Sequence, residues 1–272
     1  MKIALIQSKQ NKLYEFENCY NISKTEALCL QQEMLEQNFN LLEDTCKKGC
    51  NLIVTSEAIN FCRDSKYGIK YEFFHKENNK LFEKFSECAK KSRSYLVAGV
   101  YNFRKNNLYN SAFIYSPKGD LIDIYDKIHL AGNEKEILKS GDRYVVFETE
   151  FGKIGVCICW DMQFPETCRE LVLRGADLIV CPTWGWEKIY AHTRAYENGV
   201  FVAGAMAVPY KGIIDGIRTP SEVVSPDGKI LAMACNNDMQ VLTCDINLDF
   251  CFDFKKLRLN DRRSDTYLLI SK

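Results

Sequence analysis

Cys159 closes the apolar run Val156-Cys157-Ile158-Cys159, and Pro165 opens a helical pattern six residues later. A strand end just ahead of a helix offers backbone N–H groups and a positive helix pole, which favour a thiolate and can bind an oxyanion. Its neighbour Cys157 reads as an ordinary small buried thiol. Histidine is the usual base for such a nucleophile, but only His75, His129 and His192 occur, none in a recognisable cysteine-protease context. The base is therefore sought among carboxylates at strand ends. Glu57 follows the apolar run Leu52-Ile53-Val54. A carboxyl group partly buried there has a raised proton affinity, which suits it to accept a thiol proton and return it to a leaving amine. Lys127 sits in Tyr125-Asp126-Lys127-Ile128-His129-Leu130, between apolar residues. An ammonium so held lowers a neighbouring thiol pKa and stabilises negative charge developing on a carbonyl oxygen. Singly, each residue has a bland reading as a core thiol or a solvated charge; together they describe nucleophilic acyl chemistry.

The elements that must position these residues follow from hydropathy patterning. Ile3 to Gln7 and Leu52 to Thr55 read as strands, joined by a helix over Lys24 to Lys48 whose apolar face is Leu28, Leu35, Phe39, Leu42 and Cys46, with Gly49 as its stop. The stretch Asn18 to Gln32 is longer than that connection needs and is expected to carry an added surface turn. A helix over Leu81 to Ser92 leads into the strand Tyr95 to Tyr101. Strands Asn110 to Tyr115 and Leu121 to Tyr125 flank the turn Ser116-Pro117-Lys118-Gly119-Asp120. A second group runs through strands Tyr144 to Glu148 and Lys153 to Cys159, helix Pro165 to Arg174, and strand Asp177 to Cys181. It continues with helix Lys188 to Asn198, strand Phe201 to Met206, a hairpin about Ser225-Pro226-Asp227-Gly228, and strand Gln240 to Asp245. Strands alternate with helices, yet several are joined by hairpins, so the fold class is α/β with mixed sheets. No composition break marks a linker, and residues 1–272 read as one domain with 249–272 as a C-terminal tail.

Composition excludes several function classes. Lys plus Arg equals Asp plus Glu at 36 each, which leaves no positive field for a nucleic acid or an anionic membrane. Thirteen cysteines form no framework and no C-x-x-C pair, which is read as reduced thiols in a cytoplasmic protein with no zinc site. The opening MKIALIQSKQ lacks a signal-peptide apolar stretch, and no run approaches the roughly 20 apolar residues of a membrane helix.

The chain resembles the carbon-nitrogen hydrolase (nitrilase-like) family, whose members use a Glu, Lys, Cys triad. Val54-Thr55-Ser56-Glu57 is similar to the family's glutamate motif, Tyr125 to Leu130 to its lysine motif, and Cys159-Trp160-Asp161 through Phe164-Pro165-Glu166 to its cysteine motif. Supporting similarities are Met1 to Gln7, Tyr109-Asn110-Ser111-Ala112, Gly141-Asp142, Gly175 to Ile179, Arg194 to Asn198 and Ser225 to Gly228; the resemblance spans residues 1 to 248. It implies a four-layer αββα sandwich with two mixed β-sheets, and a homodimer or higher homo-oligomer. It also implies hydrolysis of a small non-peptide amide through a cysteine thioester, with no metal or organic cofactor. Glu57 is then the general base, Lys127 the oxyanion stabiliser, Cys159 the nucleophile, and the backbone N–H of Trp160 completes the oxyanion hole.

A second glutamate of the family lies five residues ahead of a Gly-Asp pair, which selects Glu136, with Glu134 as its rival. Thr55-Ser56 departs from the Phe-Pro pair frequent in the family, and Lys211 to Pro220 departs from the commoner patterns. Trp184 and Trp186 are placed to line the acyl pocket, with core packing or a dimer contact as equal alternatives. Arg194, Glu197 and Asn198 read as structural, and Asp161 as orienting the turn at the nucleophile. The alternatives to amide hydrolysis are an N-carbamoyl amine hydrolase, a nitrilase, and a catalytically silent scaffold subunit.

Overall fold

A computed structural model describes residues 1–14, 22–61, 72–185, 187–212, 219–235, 237–267 and 269–270, without the side chains of 72–78. Of the stretch Asn18 to Gln32, where an added surface turn is expected, residues 18–21 lie outside the described residues and Lys24 to Gln32 is helical instead; Trp186 and much of the Lys211 to Pro220 stretch also lie outside the described residues.

The first half of the chain builds five strands, β1 (Lys2–Lys9), β2 (Leu52–Val54), β3 (Tyr95–Arg104), β4 (Asn107–Tyr115) and β5 (Leu121–Asp126). Helices α1 (Lys24–Cys46) and α2 (Glu72–Ser92) make the crossovers. β1, β2 and β3 run parallel because helices join them; β3, β4 and β5 run antiparallel because turns do. The expected hairpin about Ser116 to Asp120 joins β4 and β5. A second, unexpected hairpin joins β3 and β4 through Lys105 and Asn106, both with positive φ as a two-residue primed turn requires.

The second half supplies β6 (Val145–Thr149), β7 (Gly152–Val156), β8 (Leu178–Thr183), β9 (Phe201–Val208), β10 (Glu222–Val224), β11 (Ile230–Met233) and β12 (Gln240–Asp245). Short α3 (Glu134–Ile137) precedes them, and α4 (Pro165–Leu173) and α5 (Ile189–Asn198) connect β7, β8 and β9. The strands form one mixed path in the order β5-β4-β3-β2-β1-β9-β8-β7-β6. The halves are joined where Ser8 and Lys9 pair with Ala207 and Val208, and β12 lies antiparallel to β1.

Alternation along β1 shows why both faces of each half are apolar. Ile3 and Leu5 enter a cluster that combines Val54, Val97 and Ile114 with Ile154, Val156, Val180 and Ala203 of the other half. Ala4 and Ile6 instead meet Phe39 and Leu42 of α1 and Phe85 and Ala89 of α2. On the far side, Cys157, Ile179 and Val202 pack against Leu171 of α4 and Ala191 and Ala195 of α5. The buried face of α1 is Ala27, Gln31, Met34, Asn38, Phe39, Leu42 and Thr45, a small rotation from the expected stripe. Leu28 and Leu35 are only partly buried, because α1 bridges two clusters and its apolar surface is shared between them.

Residues 249–272 are not merely a tail. They include α6 (Cys251–Leu259), which buries Cys251 and is fastened by Lys255 Nζ to Asp177 Oδ1 at 2.7 Å and to the Gly175 carbonyl at 3.1 Å.

Candidate active site

Glu57 lies just past β2, and its approach to β3 depends on Gly99. A Cβ at Gly99 would fall 2.5 Å from the Ser56 carbonyl oxygen and 2.9 Å from Glu57 Cα, so only glycine lets the segment lie there. The Thr55-Ser56 departure has a structural use: Thr55 Oγ1 accepts from Gly99 N at 3.0 Å, and Ser56 Oγ pairs with Ser8 Oγ at 2.6 Å. These bonds tie the strand end to β3 and β1. The Glu57 side chain is 2 % exposed and its carboxylate is fully engaged. Oε1 accepts from Asn110 Nδ2 at 2.7 Å and Lys127 Nζ at 3.0 Å, and Oε2 from Trp184 N at 2.8 Å.

Lys127 follows β5, with its N–H on the Asn110 carbonyl and its own carbonyl accepting from Gly141 N at 2.9 Å. A Cβ at Gly141 would lie 2.2 Å from the Asp126 carbonyl oxygen, which explains the glycine of the Gly-Asp pair. At 1 % exposure, the ammonium is held between Glu57 and Glu134, the latter at 2.9 and 2.8 Å. Burial opposes its charge, but Glu57 and Glu134 act against that, and the ammonium is held well above the ordinary lysine range.

The second carboxylate against Lys127 is Glu134, not Glu136. Glu134 opens α3, and its Oε2 also accepts from Ala131 N at 2.7 Å. Two residues further, more than half a helical turn away, Glu136 points to solvent. Burial pushes the Glu134 carboxyl up, against the opposing pull of Lys127 and the Ala131 N–H.

Cys159 begins a 3-10 turn, Cys159–Gln163, rather than standing immediately at a helix start; Pro165 opens α4 beyond it. It has φ +45°, a left-handed conformation rarely adopted by a non-glycine residue. Its N–H points to Cys181 Sγ at 3.1 Å, and its thiol lies 3.9 Å from the Gly185 carbonyl oxygen. Asp161 closes the turn. Fully buried, it accepts from Ile158 N, His129 N and Tyr125 OH at 2.9, 2.9 and 2.6 Å, fastening the cysteine turn to the Lys127 segment. Arg194 of α5 secures the other end, donating to the carbonyls of Met162 and Gln163 at 3.1 Å each.

The expected lowering of the Cys159 thiol pKa is reversed. Burial pushes it well up and the nearby Glu57 charge adds to that, while Lys127 and a hydrogen bond with Thr183 pull the other way. The balance of these effects favours the neutral thiol.

Trp184 packs edge-on to Tyr14 and Phe61 at 5.0 and 5.1 Å between ring centroids, and its indole N–H donates to the Glu57 carbonyl at 3.2 Å. It therefore clamps Glu57 through two N–H groups. The Trp160 indole is 41 % exposed. The sequence alone assigns no role to Asn110, which stands inside a motif, or to Cys181, which stands at a strand end.

The carbon-nitrogen hydrolase family model matches residues 2–256. The chain belongs to the carbon-nitrogen hydrolase family. It is an enzyme acting on carbon-nitrogen bonds other than peptide bonds. An omega-amidase from Xenopus tropicalis is 30% identical over 266 residues, covering 89% of this chain and 94% of the relative. Among solved structures, a carbon-nitrogen hydrolase from Helicobacter pylori G27 superposes with TM-score 0.81 at 23% identity, covering 100% of this chain and 98% of the other. A Glu-to-Gln variant of an amidase from Nesterenkonia, with the acetamide moiety of fluoroacetamide covalently added at its active site cysteine, gives TM-score 0.74 at 21% identity, covering 97% and 94%. Among the described residues of this chain, no helix is long and apolar enough to cross a membrane.

Proposed function

We propose that this carbon-nitrogen hydrolase cleaves a small non-peptide amide by double displacement on Cys159. The observation that carries the reading is the convergence of three strand-end residues: Lys127 Nζ 3.0 Å from Glu57, with both charges acting on the Cys159 thiol. With substrate bound, Glu57 takes the thiol proton as sulfur attacks the amide carbonyl carbon. The Lys127 ammonium and the Trp160 backbone N–H receive the oxyanion. Collapse of the tetrahedral species breaks the C–N bond, and Glu57 returns the proton to the leaving ammonia or amine. Water, deprotonated by Glu57, then hydrolyses the thioester. Glu134 acts in this scheme by holding Lys127 in place and charged.

The omega-amidase relatives favour the terminal amide of a short acyl chain as the first substrate to try. The wider reading includes a four-layer αββα arrangement, supported by apolar clusters on both faces of each strand group, and a homodimer. It also includes a cytoplasmic setting, supported by eleven described cysteines that are all free thiols. Ammonia release across a panel of small amides, carbamoyl amines and nitriles tests the function. Turnover confined to nitriles or carbamoyl compounds would reassign the substrate. No turnover in any class, with specific capture of a partner protein, would favour a scaffold role.

A further inference from the structure

Helices α1 and α2 lie side by side over the same sheet face, and two thiols meet between them. Cys46 is the last residue of α1, and Cys88 lies one turn before the end of α2. Cys46 Sγ is 3.6 Å from the Cys88 carbonyl oxygen, and each thiol acts on the acidity of the other. Ser92 Oγ donates to the same carbonyl at 2.8 Å and also faces Cys46, while Lys91 and Glu43 are the charged groups acting on the pair. Both cysteines are half-buried, open to a small reagent. The sulfurs behind the active site, Cys157, Cys168 and Cys181, are fully buried.

We propose that Cys46 and Cys88 are a reversible redox pair, which takes an oxidising equivalent from a low-molecular-weight disulfide and closes a cross-link between α1 and α2. Cys46 attacks first. The Cys88 thiol, Ser92 and Lys91 favour its thiolate over the opposing effect of burial and bring it down to about 7, whereas the Cys88 thiol is pushed up. The Cys46 thiolate forms a bond to one sulfur of the small disulfide and expels the other as a thiolate, leaving a mixed disulfide. Cys88 then gives up its proton and attacks Cys46 Sγ, and the second small thiolate leaves. The small disulfide gains two electrons and departs as two thiols; the protein loses two electrons and two protons. The new bond closes a loop between residues 42 apart that contains β2 and Glu57. Restricting that loop in the unfolded chain raises thermal stability.

The test uses the reduced full-length protein exposed to increasing glutathione disulfide, followed by non-reducing peptide mapping and a thermal melt. The first protein disulfide to form is expected to join Cys46 to Cys88, to raise the melting temperature by several degrees, and to vanish with dithiothreitol. Cys88→Ser should stop at glutathione on Cys46, and Cys46→Ser should leave Cys88 unmodified. The wild-type map decides even where a variant fails to fold: a first disulfide elsewhere, or glutathione persisting on Cys46, overturns the proposal.

Discussion

Cys159 and Cys46 are both thiols with a lysine nearby, yet their environments drive them in opposite directions. At Cys159, burial and the Glu57 carboxylate outweigh Lys127, and the thiol stays neutral. At Cys46, a neighbouring thiol, Ser92 and Lys91 outweigh burial, and the thiol is acidic. Acidity at rest is therefore a poor marker of catalysis in this protein. In the proposed mechanism, attack by Cys159 and its deprotonation occur together when substrate arrives.

The comparison breaks first under substitution of the nucleophile. Cys159→Ala should abolish turnover with the fold intact by circular dichroism, whereas Cys46→Ser should retain it. Glu57→Gln keeps the shape and hydrogen-bonding capacity of the base but not its proton affinity. Single-turnover rates should fall by about 10² to 10⁴, and near-wild-type rates would remove Glu57 from the mechanism.

Lys127→Met should lose activity to a similar degree and also lose stability, because it strands Glu57 and Glu134 without their shared cation. Urea unfolding should register a loss of about 3–5 kcal/mol. Full stability would mean that the carboxylates find other partners. Glu134→Gln should lower the chemical rate, and Glu136→Gln should leave it unchanged; steady-state kinetics of the two variants separates them directly.

The smallest effect sharpens the contrast between the thiols. Alkylation of Cys46 should accelerate as pH rises through about 7, where its thiolate forms. Cys159 in the free enzyme should stay slow at neutral pH and still be accelerating above the ordinary thiol value, because its pKa is displaced upward. Peptide mapping across a pH series distinguishes the two curves, and a Cys159 curve with a midpoint near neutrality would contradict the resting neutral thiol.

That Glu57, Lys127 and Cys159 belong to one site was expected from the sequence because the segments Val54 to Glu57, Tyr125 to Leu130 and Cys159 to Glu166 together resemble the motifs of one family. The mixed strand order was legible because hairpin turns such as Ser116 to Asp120 announce antiparallel neighbours. Four features were not. Choosing Glu134 over Glu136 depends on which way one four-residue helix faces, and a spacing rule counted from Gly141 does not register that rotation. Asn110 reaches Glu57 across 53 residues and Cys181 reaches Cys159 across 22, contacts that exist only once the strands are side by side. Helix α6 was not legible because its Phe252 and Leu257 face solvent, which leaves Cys251 as its buried residue and Lys255 as its polar fastening. The direction of the Cys159 pKa was misjudged because the nearby lysine was visible in the sequence and the depth of burial was not.

Limiting alkylation with iodoacetamide, with activity and peptide maps taken from the same samples, tests the central claim most directly. Activity should fall in proportion to Cys159 labelling and be protected by a competing amide, while complete labelling of Cys46 leaves turnover intact. Full modification of Cys159 without loss of turnover, or inactivation while Cys159 remains unmodified, would contradict the account.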